Sequence, residues 1–259
     1  MDLGIQGKKA LVCASSRGLG KACALALAGE GVNVTLNGLD KDRLESTADE
    51  IRTSTGVDVA FVAADLNTED GRNALLAACP EPDILVNNNS GPPPGNFEDW
   101  SHDDWLVGIE ANMLAPVMMI KGVVGGMQER RFGRIVNITS AMVKAPFTVM
   151  GMSAGARAGL TAFCKSLSRR VAQHNVTINN LLPERIDTDR QVFMAKSQAK
   201  AQGITYEEAR EKIIQGLAAK RMGRPEEFGA ACAFLCSDLS GYISGQNLQL
   251  DGGTYPGVY

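Results

Sequence analysis

The chain has no tyrosine before residue 206, and only two histidines, His102 and His174, in 259 residues. It has no basic surplus either: the formal net charge is −3, which excludes the electrostatic footprint of a nucleic-acid or anionic-membrane binder. No apolar run approaches the roughly 20 residues of a membrane span, so no membrane partner is expected. The segment Met1–Gly7 lacks the basic and apolar regions of a signal peptide, and a cytoplasmic location is expected. Six cysteines show no metal-ligand pairing, and no metal is expected. Cys232 and Cys236, four apart on a helical stretch, read as small core residues. Repeats, low-complexity segments and long linkers are absent, so residues 1–259 read as one domain.

What is present is alternation. Short apolar runs at 8–13, 32–36, 57–63, 83–86, 133–138 and 174–182 are separated by helical stretches at 19–29, 40–54, 68–78, 102–130 and 154–173. A helix at 226–236 and a last strand at 247–250 close the chain. Such alternation predicts an α/β fold, a doubly wound parallel sheet of Rossmann type with helices on both faces. Ligands of such sheets bind at the carboxyl ends of the strands. The segment 189–222 is helical and mixed in charge.

The stretch Cys13-Ala14-Ser15-Ser16-Arg17-Gly18-Leu19-Gly20 joins the first strand to the first helix. Free backbone N–H groups and the dipole at a helix N-terminus suit a pyrophosphate. Gly18 and Gly20 stand where a Cβ would obstruct ligand or packing. An isolated G-x-G also fits an ordinary strand–turn–helix. After the second strand, Asn37 stands where an NAD-selective site places a carboxylate for the ribose 2′-OH. With Arg17 near and no opposing acid, a 2′-phosphate is favoured, hence NADP over NAD. Asp40 reads as the cap of the helix beginning at Lys41. Asp65 fits either an adenine acceptor or a helix cap. Asn87-Asn88-Asn89-Ser90-Gly91 follows a central strand, and its amides are costly unless they meet backbone or ligand.

Taken together, these stretches resemble the short-chain dehydrogenases/reductases over essentially the whole chain, and most of all the 3-oxoacyl-(acyl-carrier-protein) reductase group. Residues 13–20 sit at the family's T-G-x-x-x-G-x-G, with Ala14 at its first glycine. Asn87–Ser90 sit at N-N-A-G, and Pro183–Thr188 at P-G-x-x-x-T, with Glu184 replacing glycine. Arg224–Glu227 and Ser244–Gly253 match the C-terminal signatures. The resemblance implies cofactor contacts from Ser15, Ser16, Arg17, Gly18, Leu19, Gly20, Asn37, Asp65, Leu66, Asn88, Asn89, Ser90, Ile138, Arg157, Pro183, Ile186 and Thr188. Ile138 and Thr188 would lie on the nicotinamide side. It also implies a carbonyl or alcohol substrate, a mobile substrate-side cover formed by about 189–222, and a homo-oligomer, tetramer or dimer, built through the fourth and fifth helices and the C-terminal segment.

Its catalytic set implies Asn112 and Ser140, both present, followed by a Tyr-x-x-x-Lys pair. Here Ser153 and Arg157 stand in its place, with 153 − 140 = 13 residues between the two serines and no gap to rescue a tyrosine. Tyr206–Arg210 resembles the pair only by accident. An aliphatic hydroxyl is a far weaker acid than a phenol, and its side chain is shorter by a ring. Losing such a catalyst costs about 10²–10⁴ in rate, or about 3–5 kcal/mol. Candidate substitutes are Lys144, Glu184 and Asp187, or Ser140 with Asn112 and a water. His102 reads as part of a helix start capped by Ser101, and His174 as structural. The expected function is NADP-dependent hydride transfer with a carbonyl or alcohol. The alternatives are a silent NADP-binding subunit or sensor, and a non-redox step on the same platform.

Overall fold

The structure, a computed structural model, describes residues 1–258. Seven strands form one sheet, all parallel, in the order β3-β2-β1-β4-β5-β6-β7. The strands are β1 (Lys9–Val12), β2 (Asn33–Gly38), β3 (Val59–Ala63), β4 (Ile84–Asn87), β5 (Gly133–Ile138), β6 (Val176–Pro183) and β7 (Asn247–Leu250). The helices are α1 (Gly18–Gly29), α2 (Lys41–Thr55), α3 (Glu69–Ala78), α4 (His102–Ile109), α5 (Ala115–Glu129), α6 (Gly151–Val171), α7 (Asp189–Gln202), α8 (Tyr206–Gln215) and α9 (Pro225–Cys236). The predicted doubly wound sheet is therefore the observed one. Strand order reverses between β1 and β4, which places a crevice at their carboxyl ends.

One apolar cluster joins α1, α2 and α9 to one face of the sheet, and a second joins α3, α5 and α6 to the other. Burial on both faces explains why the central strands read as continuous apolar runs. The six cysteines are free and buried, and Cys232 and Cys236 lie in the core as their four-residue spacing predicts. Strand β6 starts two residues later than expected, because Ala172–His174 makes a 3-10 turn and Asn175 adopts a left-handed φ of 56°.

The long helix corrects one expectation. His102–Glu129 spans 28 residues with a mean hydropathy of 1.4 in its most apolar window, long and apolar enough to cross a membrane by length and composition. Polar residues interrupt it, which hid the run in the sequence. It packs on α3 and α6 as a core helix, with 44% of that window buried. A π-helical turn at Glu110–Leu114 divides it into α4 and α5.

Across the sheet runs a ladder of side-chain amides. Asn87 Nδ2 donates to Asn137 Oδ1 (2.9 Å), Asn137 Nδ2 to Asn180 Oδ1 (2.9 Å), and Asn180 Nδ2 to Asn247 Oδ1 (2.8 Å). These residues are paired in register on β4, β5, β6 and β7. The Cys13 thiol donates to Asn87 Oδ1 from the other side (3.9 Å), and burial pushes that thiol up to about 12. Buried amides satisfied this way fix the relative heights of the strand ends from which the site loops leave.

Candidate functional site

At the end of β1 the chain turns sharply, with Ala14 at a φ of 43° and Gly18 at 58°. A Cβ on Gly20 would stand 2.3 Å from the Ala14 carbonyl oxygen, so helix and turn approach too closely for any side chain there. A Cβ on Gly18 would meet nothing within 4 Å, leaving the first turn of α1 open to a ligand. Arg17 precedes that helix and makes no side-chain cap, so among the described residues the first-turn N–H groups have no capping side chain. A helix N-terminus in this condition suits a pyrophosphate.

Two predicted cofactor residues serve the turn itself. Ser15 is fully buried; its Oγ donates to the Val12 carbonyl (2.7 Å) and accepts from the Asn37 N–H (3.1 Å). Asn37 is equally enclosed: Oδ1 accepts from the Ala14 N–H (3.2 Å), and Nδ2 donates to the Val62 and Ala64 carbonyls (3.3 and 3.0 Å). From β2, its amide staples the turn to the end of β3. Beyond it lie Gly38, exposed Leu39, and Asp40, whose carboxylate caps α2 through the Arg43 N–H (3.1 Å). The end of β2 thus carries no uncommitted acid. Arg17 is exposed, 3.5 Å from Asp189 Oδ2 at the start of α7. Asp65 is exposed and folds back on the Asn67 N–H, while Thr68 caps α3.

The loop after β4 crosses the same edge. Asn88 Nδ2 donates to the Ala14 carbonyl (3.2 Å), Asn89 Nδ2 to Asn67 Oδ1 and the Ala111 carbonyl, and the Ser90 carbonyl accepts from Asn112 (3.0 Å). Leu66, Asn88, Asn89, Asn112, Ile138 and Arg157 line an internal pocket with room for about one water.

The structure brings Asn112, Ser153 and Arg157 into one chain. Ser153 Oγ donates to Asn112 Oδ1 (2.8 Å) and accepts from Arg157 Nε (3.1 Å). Arg157 also donates through Nη1 to the Ile138 carbonyl (2.7 Å) and through Nη2 to the Asn89 carbonyl (3.5 Å). Burial, reinforced by the neighbouring Arg190, draws its guanidinium down to about 10. It therefore remains a cation at neutral pH. A Cβ on Gly91 would lie 3.3 Å from both Asn112 Oδ1 and Ser153 Oγ, so the loop rests directly on this chain. The π turn carries Asn112 there, since the extra residue per turn rotates its amide toward Ser90 and Ser153. Neither Gly91's contact nor the π turn is visible in the sequence.

Ser140 lies two residues after β5, half-buried, with Oγ accepting the Met142 N–H (3.2 Å). Lys144 lies four residues on, its Nζ 5.6 Å from the centre of the Tyr255 ring. Strand β6 ends at Pro183, and the loop after it carries Glu184, buried Ile186, and Thr188, which precedes α7 without a side-chain cap. Asp187 is held by a two-pronged pair with Arg210 of α8. Glu184 Oε1 lies 3.6 Å from Arg185 Nε, and burial lifts its carboxyl above the usual range against the pull of Arg185. Exposed His102 sits in the first turn of α4, capped by Ser101, and His174 lies at the opposite, amino-terminal edge of the sheet. Among the described residues, no group of His, Cys, Asp and Glu is arranged to hold a metal.

A family model described as enoyl-(acyl carrier protein) reductase matches residues 13–255. The oxidoreductase YvaG of Bacillus subtilis is 34% identical, with 100% of both chains covered. The 3-oxoacyl-[acyl-carrier-protein] reductase FabG of Aquifex aeolicus is 31% identical over 98% of this chain and 100% of its own. Among solved structures, L-sorbose reductase from Gluconobacter frateurii, complexed with NADPH and L-sorbose, is 30% identical and superposes with a TM-score of 0.94 over 100% of both chains. With its parallel seven-stranded sheet and glycine turn, the chain belongs to the short-chain dehydrogenase/reductase family of oxidoreductases, close to the 3-oxoacyl-(acyl-carrier-protein) reductases.

Proposed function

We propose that the protein is an NADPH-dependent reductase of a small carbonyl substrate, running the reverse oxidation when the alcohol is supplied. The carrying observation is the glycine turn: an uncapped helix N-terminus opens beside an empty Gly18 position, and β2 ends with no uncommitted carboxylate. The N–H groups of residues 18–20 hold the pyrophosphate, and Arg17 takes the 2′-phosphate by exchanging it for Asp189. Asn88 and Asn89 would set the floor, Pro183, Ile186 and Thr188 the opposite wall, and Arg157, held by Ser153 and the Ile138 and Asn89 carbonyls, would border the nicotinamide side. Bound NADPH supplies a hydride from its nicotinamide ring. Ser140, just after β5, donates a hydrogen bond to the substrate carbonyl, which polarises it. Apolar residues of α7 and α8 such as Phe193, Met194 and Ile213 cover the substrate side.

Calorimetric titration with NADPH and NADH, followed by turnover on ketones and short 3-oxoacyl thioesters, tests this reading. Tighter NADPH binding and steady NADPH consumption with at least one carbonyl are expected; absence of NADPH binding overturns it. One observation favours a second reading, a silent NADP-binding subunit: the Ser153 proton is committed to Asn112 and Arg157 to protein acceptors. Binding without turnover on any substrate would select that reading.

A homo-oligomer is part of the proposal. A groove between α5 and α6, lined by Val117, Ile120, Val124, Phe163 and Leu167, leaves apolar surface that a second copy would cover. Sedimentation of wild type against Val117→Glu reads it directly. Free, buried cysteines support a reducing, cytoplasmic setting.

A further inference from the structure

We propose that Glu184 donates the proton to the carbonyl oxygen as it is reduced, the task for which the chain holds no tyrosine at position 153. The inference rests on the reductase reading above and names the acid that reading lacks.

Elimination comes first. The Ser153 hydroxyl has one proton, and it lies on Asn112 Oδ1 at 2.8 Å; Arg157 Nε occupies the accepting side at 3.1 Å. Releasing that proton would break a buried chain and leave an alkoxide beside an amide oxygen. Asp187 is spent on Arg210. His174 precedes β6, whose eight residues put it about 26 Å from the carboxyl edge. His102 is exposed on the outer turn of α4, and Lys144 rests over the Tyr255 ring.

Glu184 stands in the right place. Strands β5 and β6 are paired up to Ile138 and Leu181, so the loops that follow them, one carrying Ser140 and the other Glu184, leave the sheet side by side at its carboxyl edge. On the other side the Glu184 N–H donates to the Leu250 carbonyl at 3.1 Å, which fixes it against the end of β7. The residue is therefore held between the turn bearing Ser140 and the turn bearing Asp251. Its side chain is 17% exposed, and its closest cation, Arg185 Nε, is at 3.6 Å. Burial and the Asp251 charge favour the protonated carboxyl, while Arg185 opposes them. The charged groups that act on it are Arg185 on its own loop and Asp251 after β7.

The step balances simply. As the carbonyl carbon accepts hydride, the C=O π pair moves to oxygen, the oxygen takes the Glu184 proton, and the carboxylate recovers a proton from solvent. The acid works in its protonated form, so kcat falls as pH rises through the raised Glu184 pKa.

The test uses Glu184→Gln and Glu184→Asp, with three readouts on each: NADPH affinity, kcat and KM against pH, and the infrared band of a protonated carboxyl in the ligand-free protein. Expected for Glu184→Gln are unchanged NADPH affinity, a kcat loss of about 10²–10⁴ with KM little altered, no alkaline decline in kcat, and loss of one protonated-carboxyl band. Glu184→Asp is expected to keep the band and the decline at reduced kcat. Wild-type kcat with an unchanged pH profile in Glu184→Gln overturns the proposal while leaving the reductase reading standing. NADPH binding by wild type without turnover on any carbonyl overturns both.

Discussion

Ala14 shows what one residue carries. The family's first glycine is replaced here, yet the backbone keeps the left-handed φ of 43° that glycine would favour. A Cβ in that region costs about 1–2 kcal/mol. Ala14→Gly is expected to raise stability by about 0.5–1 kcal/mol, since the added freedom of glycine in the unfolded chain offsets part of the gain; urea denaturation reads it. Gly20→Ala should do the opposite and abolish NADPH binding, because the Ala14 carbonyl stands 2.3 Å from the new Cβ. At this scale the sequence was informative about identity and poor about direction. The spacing of Ser140, Ser153 and Arg157 was legible; that Ser153 points at Asn112 was not. The place of Asn37 near the end of β2 was legible; that its amide partners come from residues 14, 62 and 64 was not.

Elements are held by their ends and by the amide ladder. At the start of α9, hydrogen bonds from Arg221 and from the Arg224 N–H draw the Glu227 carboxyl down from the usual 4.5 to about 2. A depressed carboxylate stabilises above its unfolded pKa, and that contribution disappears as pH falls from 4.5 to 2. Glu227→Gln is therefore expected to melt below wild type at pH 7, with the gap closing across that window in a series of thermal scans. The ladder carries more. Asn137→Ala strips a partner from both Asn87 Nδ2 and Asn180 Oδ1 in a fully buried setting. Asn87 Nδ2 keeps the Pro116 carbonyl (3.4 Å), so one group, Asn180 Oδ1, is left orphaned, and a loss of about 1–3 kcal/mol in chemical denaturation is expected. Helix starts at Asp40, Thr68 and Ser101 show local cap chemistry, and two of them, Asp40 and Ser101, were readable in advance. The ladder was not, because its four members lie on different strands.

For the whole molecule, a ligand bound only by the folded state raises stability by about 2.7 kcal/mol at 100 times its Kd. NADPH is expected to raise the melting temperature more than NADH at equal concentration, because Arg17 is available to a 2′-phosphate and no uncommitted carboxylate stands at the end of β2. Arg17→Glu should reverse that order. The same scans over protein concentration report association through the α5–α6 face, whose apolar groove is complete within each copy.

Alternating apolar runs and helical stretches determined the sheet, its helices on both faces and the edge where ligands bind, because such periodicity is written by residues that are neighbours in the chain. Motif order pointed to the family, and the 13-residue spacing exposed the missing tyrosine. Tertiary structure alone decided where donors point: Arg157 onto the carbonyls of residues 138 and 89, Asp187 onto Arg210, Asn112 through a π turn, and Glu184 between the ends of β5 and β7. Each of those outcomes is settled by pairing buried polar groups from distant parts of the chain, and no local pattern records which partner a buried group will meet.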